Sequence, residues 1–189
     1  PLMETSQHLT IVGSGGSGGG PYNNVKVNGE AQVNGDIDCL AFRCNGTARV
    51  YGSLKGTSCN VNGTLDIAGD FDTGEAKING KMEIDGNVKA RTIKSFGETS
   101  VRGNVAGEEV GLQGYFSING NCEAEQLRIK GIFRIGGLVN AGEVDLAVHS
   151  RCEVKEIGGE SIRVHRSEGN VLKKLIGSFF LPADYYEGT

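Results

Sequence analysis

The chain has 189 residues, 31 of them glycine and none tryptophan, and a formal net charge of −4 at pH 7. This length suits a single domain, and the near balance of charge argues against a general nucleic-acid binder. No stretch approaches the roughly 18 consecutive apolar residues of a membrane-spanning helix, and the N-terminus lacks the basic and apolar regions of a signal peptide. We therefore expect a cytoplasmic protein.

Residues 1–24 read as a flexible N-terminal arm. Within it, residues 13–20 have the sequence GSGGSGGG, which is typical of a flexible linker. The short apolar run from Leu9 to Val12 has two interpretations: it adds a strand to the first unit of the following domain, or it is a free peptide segment.

From Val25 to Glu143 the chain repeats a 17-residue unit seven times, and we number the positions of this unit as columns 1 to 17. Glycine occupies columns 5 and 11 in every unit. A fixed period this short is typical of a solenoid, in which identical units stack on one another. The two glycine columns are Gly29, Gly46, Gly63, Gly80, Gly97, Gly114 and Gly131, and Gly35, Gly52, Gly69, Gly86, Gly103, Gly120 and Gly137.

The apolar residues of each unit fall on odd columns, and column 9 is β-branched in all seven units. Alternation with a period of two, in β-branched residues, indicates strands. We expect three short strands per unit, near columns 1–3, 7–9 and 13–15. Asn-Gly pairs favour tight corners between them. The predicted fold is all-β: a single-domain right-handed parallel β-helix of triangular coils over residues 25–165, because parallel crossovers are right-handed.

The repeat degrades after Glu143. Residues 144–165 form a degenerate coil, with Cys152 in column 9 and a last strand at Ile162 and Val164 that is shifted by one residue. Residues 166–189 form a capping or tail segment, in which VLKKLIGSFFL is the only candidate helix. This segment either caps the open end of the solenoid or docks on a membrane or a partner. Its apolar residues are Val171, Leu172, Leu175, Ile176, Phe179, Phe180 and Leu181.

The inventory of catalytic and metal-binding residues is thin. All five cysteines fall on odd columns or their continuation, which predicts small buried hydrophobes in a reducing compartment. The spacing of Cys39, Cys44 and Cys59 does not fit a zinc knuckle. The three histidines lie outside the seven regular coils. We therefore expect no enzyme activity, no cofactor, no metal and no small-molecule substrate.

Column 2 carries five cations in seven units, and stacking would align them in one stripe. Such a stripe suits a polyanion, whereas acidic residues in the neighbouring column 17 (Glu75, Glu109 and Glu143) favour a solvated and partly paired surface. No aromatic residues interleave with the stripe, so we expect no nucleic-acid partner. The stripe consists of Lys26, Arg43, Lys77, Lys94 and Arg128.

The ends of a β-helix expose unpaired backbone groups and the side chains of the last layers, which favours end-to-end contacts. We predict that the N-terminal coil forms a polymer interface through Val25, Val27, Val33 and Ile37, meeting the same coil of a second copy head to head.

A Gly-Ser-rich arm leads into VKVNG and VNGDIDC, and glycine-punctuated coils continue to EIGGESIRV. Over residues 9–165 this sequence resembles the bactofilins, the polymer-forming bacterial cytoskeletal proteins. The resemblance implies a right-handed β-helix that polymerises end to end into filaments without nucleotide. It also implies flexible tails that reach the inner face of the membrane or envelope partners. The segment after Arg166 is longer than the short tail typical of that family.

Two other classes of β-solenoid are weighed against this interpretation. A hexapeptide-repeat acyltransferase has 18-residue coils and a histidine base at a coil interface, whereas the spacing here runs 6, 6 and 5 and the regular coils lack histidine. A secreted adhesin or ice-binding solenoid would need a flat outward threonine ladder, whereas the outward columns here mix amides and charged residues.

Overall fold

The structure, a computed structural model, describes residues 7–149, 151–166 and 174–179. These residues form a β-solenoid of about 9 turns, as predicted. Ten strands form one sheet that runs from β1 to β10 in chain order. The strands are β1 (His8–Ser17), β2 (Gly20–Val33), β3 (Ile37–Val50), β4 (Leu54–Ile67), β5 (Phe71–Ile84), β6 (Val88–Val101), β7 (Val105–Ile118), β8 (Cys122–Val148), β9 (Arg151–Arg166) and β10 (Lys174–Phe179).

Each strand pairs in parallel with the next, and from β2 to β8 the partner of a residue lies 17 positions later, as in Val25 opposite Phe42. Each strand from β2 to β7 has 14 residues and runs from column 13 of one unit to column 9 of the next, as in β3 and β4. The three short strands expected per unit are therefore joined into one. The ladder runs through the corner at column 5 and skips only one residue at column 16, such as Leu40. Because every coil turns at the same place, these corners do not interrupt pairing. From β2 to β7 only columns 10–12 lie outside the strands, whereas β8 runs through them as well.

The two glycine columns serve different physical purposes. In column 5 the backbone is left-handed, with φ of 131° at Gly80, and a Cβ there would lie 2.1 Å from the carbonyl oxygen of Gly63. In column 11, Gly86 has no such φ, but a Cβ would lie 2.3 Å from Oδ1 of Asp70. Column 5 therefore needs glycine for its conformation and for close approach, and column 11 for close approach alone.

The core consists of the side chains in the odd-numbered columns of the repeat, and it runs the length of the rod. Phe42 and Phe71 are fully buried within it. Three buried hydroxyl side chains interrupt the apolar core, Thr73, Ser95 and Thr99, and the last two form a pair. The two oxygens of this pair lie 2.7 Å apart across the corner at Gly97, so each satisfies the other.

The solenoid begins earlier than predicted. Residues 8–17 form β1, which pairs in register with β2 from His8 opposite Asn24 to Ser17 opposite Val33. Of the two interpretations of Leu9 to Val12, the added strand is confirmed. The prediction of a flexible arm is wrong for residues 8–24, because Ile11 is buried against the core and the open ladder of β2 orders even the glycine-rich segment.

The C-terminal coil keeps the pattern with a longer spacing. Val144 lies opposite Ile162, 18 positions later, so the predicted shift of one residue is confirmed. Val154, and not Cys152, lies opposite Ile135 of column 9. The predicted helix is wrong for Lys174–Phe179, which forms β10 in parallel with β9. The exposed edge of β9 offers this apolar segment a strand partner. The rest of the predicted capping segment, with Val171, Leu172, Phe180 and Leu181, lies outside the described residues.

Candidate interaction surfaces

The predicted cationic stripe is a ladder of neighbouring side chains. Lys26 lies opposite Arg43, and Lys77 lies opposite Lys94. Asn60 and Gly111 fill the two remaining steps before Arg128. All five cations are exposed. Because parallel strands lie about 4.8 Å apart, the seven positions, separated by six steps, span about 29 Å along the rod.

Column 4 lies beside this stripe on the same side of the rod and begins with an asparagine ladder. Asn45 donates to Oδ1 of Asn28 at 3.2 Å, Asn62 to Asn45 at 3.1 Å, and Asn79 to Asn62 at 3.0 Å. The sequence explained these residues only as corner formers, although their exact 17-residue spacing was the signal that could have revealed the ladder.

We call columns 2 and 4 of the seven regular coils the basic face. Its positions hold six cations and no carboxylate, since Lys130 in column 4 joins the five cations of the stripe. Phe96, which is 40% exposed, also lies on this face. Sequence reasoning missed both residues because it considered column 2 alone.

The cations of the basic face have no salt bridges within the described residues, whereas cations on other sides do. Arg49 lies 3.5 Å from both Glu30 and Asp66. Glu75 was expected to offset the stripe, but it pairs with Arg91. Within the described residues no salt bridge joins the stripe to column 17, so the expected partial pairing is wrong. The expected solvated surface is confirmed, since all five cations are exposed.

The outward columns 14, 16 and 17 form an acidic side with the opposite balance. They hold eight exposed carboxylates and three exposed cations. The carboxylates are Asp38, Asp72, Glu75, Glu108, Glu109, Glu123, Glu125 and Glu143, and the cations are Lys55, Lys89 and Arg91. Charge is therefore distributed unevenly around the rod, a feature that the overall charge of −4 conceals. The two regions adjoin each other, since Glu109 and Glu143 line small pockets together with Arg128.

A groove of about 420 Å³ opens in the C-terminal half of the basic face. Its floor is apolar and includes Leu112 and Ile129, while Lys94, Arg128 and Lys130 line its walls together with Asp145 and His165 of the degenerate coil. The groove exists partly because Gly111 has no side chain. A Cβ at Gly111 would have no neighbour closer than 3.8 Å, so close packing does not require glycine here.

The predicted polymer interface does not lie at the end of the rod. Val25, Val27 and Ile37 are 1% exposed and Val33 is 2% exposed, because β1 covers Val25, Val27 and Val33. The N-terminal end of the described chain is instead the outer edge of β1. Its ten residues, HLTIVGSGGS, contain no Asp, Glu, Lys or Arg.

The five cysteines are buried free thiols, as their positions predicted. Burial raises the pKa of Cys39 and Cys122 to about 12 and that of Cys44 and Cys59 to about 11. Thr73 donates a weak hydrogen bond to Sγ of Cys59 at 3.5 Å. Thiols of this kind stay protonated and are poor nucleophiles at neutral pH.

Within residues 7–149, 151–166 and 174–179, no group of three or more His, Cys, Asp or Glu side chains is arranged to hold a metal ion. The same part of the chain contains no helix with the length and apolar character needed to cross a bilayer. No protein-family model, curated protein or solved structure matches the chain. The resemblance to bactofilins stays a prediction.

Proposed function

We propose that this protein is a non-enzymatic cytoskeletal scaffold that assembles end to end into filaments without nucleotide. We further propose that these filaments localise partner proteins at the bacterial cell envelope, from the cytoplasmic side. The observation that carries the proposal is the strand order. The sheet is linear, so β1 and β10 are edge strands at opposite ends of the rod.

Within the described residues, the edge of β1 lacks the features with which soluble proteins protect a sheet edge. Such edges usually carry charged residues, proline, a bulge or a covering segment. β1 is ten residues long, pairs with β2 without a register shift, and has His8 as its only ionisable side chain. Its unpaired N–H and C=O groups can therefore accept a strand from a second copy.

A head-to-head contact would pair β1 of one copy with β1 of another. Such a contact is related by a two-fold axis and closes as a dimer, so filaments also need a contact at the opposite end. β10 provides a second edge there, with a register shift between Ile176 and Ser178. The partners of the scaffold are thus first its own copies, and then envelope proteins or the membrane reached through the chain termini.

Sedimentation velocity without nucleotide or metal tests this proposal. The parent protein is expected to form oligomers whose size grows with concentration. The double variant Thr10→Lys, Val12→Lys places two cations beside the edge of β1 at exposed positions and is expected to lose the head-to-head contact. A matched control, Thr57→Lys with Ser58→Lys, adds the same charge at exposed positions on the acidic side and is expected to assemble like the parent.

The assembly result for either variant is interpreted only if its circular dichroism spectrum and melting temperature match those of the parent protein. A parent protein that stays strictly monomeric would contradict self-assembly. A folded Thr10→Lys, Val12→Lys variant that assembles like the parent would move the interface away from β1. Val27→Glu is unsuitable for this test because Val27 is buried, so the substitution would damage the coil itself.

A further inference from the structure

One face of the rod carries a net positive charge. The basic face carries six cations without a carboxylate, whereas the acidic side carries eight carboxylates and three cations. A negatively charged planar surface would therefore orient the rod by attracting its basic face.

The cations of the basic face are available for such a contact. They form no salt bridge within the described part of the chain, and all six are exposed. They also project from a regular parallel ladder, so they lie on a flat surface about 29 Å long. A flat cationic surface fits a planar anionic partner without rearrangement.

The groove adds a second type of contact to the charge. Lys94, Arg128 and Lys130 line a groove with an apolar floor, and Phe96, which is 40% exposed, also lines it. The groove contains one carboxylate, Asp145, which lies 3.3 Å from Nδ1 of His165. A phospholipid headgroup presents the same combination, an anionic phosphate joined to an apolar glycerol and acyl region. Basic residues beside an exposed aromatic ring are typical of protein surfaces that lie on a bilayer.

We propose that the rod lies flat on an anionic phospholipid bilayer through its basic face, with Phe96 entering the headgroup region. This attachment is distinct from one through the terminal segments. It does not depend on end-to-end assembly, because a single copy carries the whole face. Filaments would strengthen it by presenting many basic faces at once.

Two other anionic partners fit the observations less well. Single-stranded nucleic acid is usually held by several stacking aromatic rings, and the basic face has Phe96 alone. A contact between the basic face and the acidic side of a second copy would bury two charged surfaces and remove their bound water. Lipid headgroups stay hydrated, so contact with a bilayer does not have this cost.

Co-sedimentation with vesicles tests the proposal on the full chain. Vesicles contain phosphatidylcholine with 30% phosphatidylglycerol, or phosphatidylcholine alone. Binding is expected only to the anionic vesicles and is expected to fall sharply between 0.05 and 0.5 M salt. Each basic residue removed is expected to lower the partition coefficient about fivefold.

Two triple variants with the same change of net charge separate the basic face from overall charge. Lys94→Gln, Arg128→Gln, Lys130→Gln removes three cations of the basic face and is expected to lower partitioning roughly 100-fold. The control variant removes the three cations of the acidic side through the replacements Lys55→Gln, Lys89→Gln and Arg91→Gln. It is expected to stay within about threefold of the parent, since those residues lie outside the basic face.

A fluorescent probe reports which side contacts lipid, because the chain contains no tryptophan. Phe96→Trp is expected to shift its emission to shorter wavelength when anionic vesicles are added. Leu40→Trp is the matched probe, since Leu40 is 49% exposed on the acidic side, and its emission is expected to stay unchanged.

Equal loss of binding in the two triple variants would overturn the proposal. Full binding by a folded basic-face variant would also overturn it, because attachment would then belong to another part of the chain. A shift at Leu40→Trp equal to that at Phe96→Trp would overturn it too. Tighter binding to DNA than to anionic vesicles at the same salt would replace the lipid with a nucleic acid. If a triple variant fails to fold, the tryptophan pair and the salt dependence decide the question.

Discussion

Gly80 lies at the column 5 corner of the fourth repeat, and its replacement by alanine perturbs the fold in a way that the structure makes calculable. A non-glycine residue at φ of 131° costs about 1–3 kcal/mol. The added Cβ would lie 2.1 Å from the carbonyl oxygen of Gly63, so the two coils must separate by roughly 1.5 Å to reach an ordinary contact. Losing two ladder hydrogen bonds costs a further ~1–3 kcal/mol.

Gly111→Ala is the matched control, because it makes the same chemical change at a position without these constraints. Its Cβ would meet Ile93 and Lys94 only at 3.8 Å, and its φ lies outside the left-handed region. Replacement of glycine restricts the unfolded chain equally in both variants and stabilises by about 0.4–1 kcal/mol. Gly111→Ala should therefore be slightly more stable than the parent, and the two variants should differ by about 4 kcal/mol.

Urea unfolding followed by circular dichroism measures this difference. Because a solenoid can unfold in segments, midpoints are compared under identical conditions and not converted to a single two-state free energy. The parent should unfold between the two variants, with Gly80→Ala at the lowest urea concentration. Coincident midpoints for the two variants would refute the assigned corner and the register on which it depends.

Three further outcomes are expected. Ile84→Asp places an unpaired charge in the core, since Ile84 is 1% exposed, and should lower the melting temperature far more than Lys81→Gln at an outward position, costing several kcal/mol; equal melting temperatures would contradict the core assignment. Asn62→Ala removes two ladder hydrogen bonds and should lower the free energy of unfolding by about 1 kcal/mol. The control Asn60→Ala should lower it little, and an equal loss in both variants would show that the ladder does not stabilise the fold. Burial raises the pKa of Cys39 to about 12 and that of Cys59 to about 11. Thiols of the unfolded chain ionise first, near pH 9, so the folding free energy that these groups contribute below pH 9 is lost as the pH rises towards 11–12. Urea midpoints at pH 8 and 10.5 should show this decline, and a thiol reagent that labels the native protein rapidly at pH 8 would contradict the burial.

Much of the fold could be predicted from the sequence because each coil repeats the same constraints. Column 9 is β-branched throughout, and column 5 needs glycine at a left-handed corner, so the period and the buried side follow from pattern alone. The ends could not be predicted in the same way. Residues 13–20 have a linker composition, and they become a strand only because β2 offers a complete ladder. Lys174–Phe179 has apolar residues at helix-like spacing, yet pairs with the open edge of β9.

The interaction surfaces were only partly predictable for a related reason. The stripe followed from column 2, but the basic face also depends on Lys130 and Phe96 in column 4. Its unpaired state depends on where neighbouring acids point, as with Glu75 towards Arg91. Such contacts are decided by three-dimensional packing between coils and not by the spacing of residues in the chain.

Negative-stain electron microscopy of the purified full chain, without nucleotide or metal, tests the central claim of end-to-end assembly most directly. One copy of about 9 turns has a length of about 43 Å at 4.8 Å per turn. The account predicts thin filaments one rod wide, which lengthen with protein concentration and shorten in the Thr10→Lys, Val12→Lys variant. Isolated rods of about 43 Å at every concentration, in a protein with the expected circular dichroism, would contradict it.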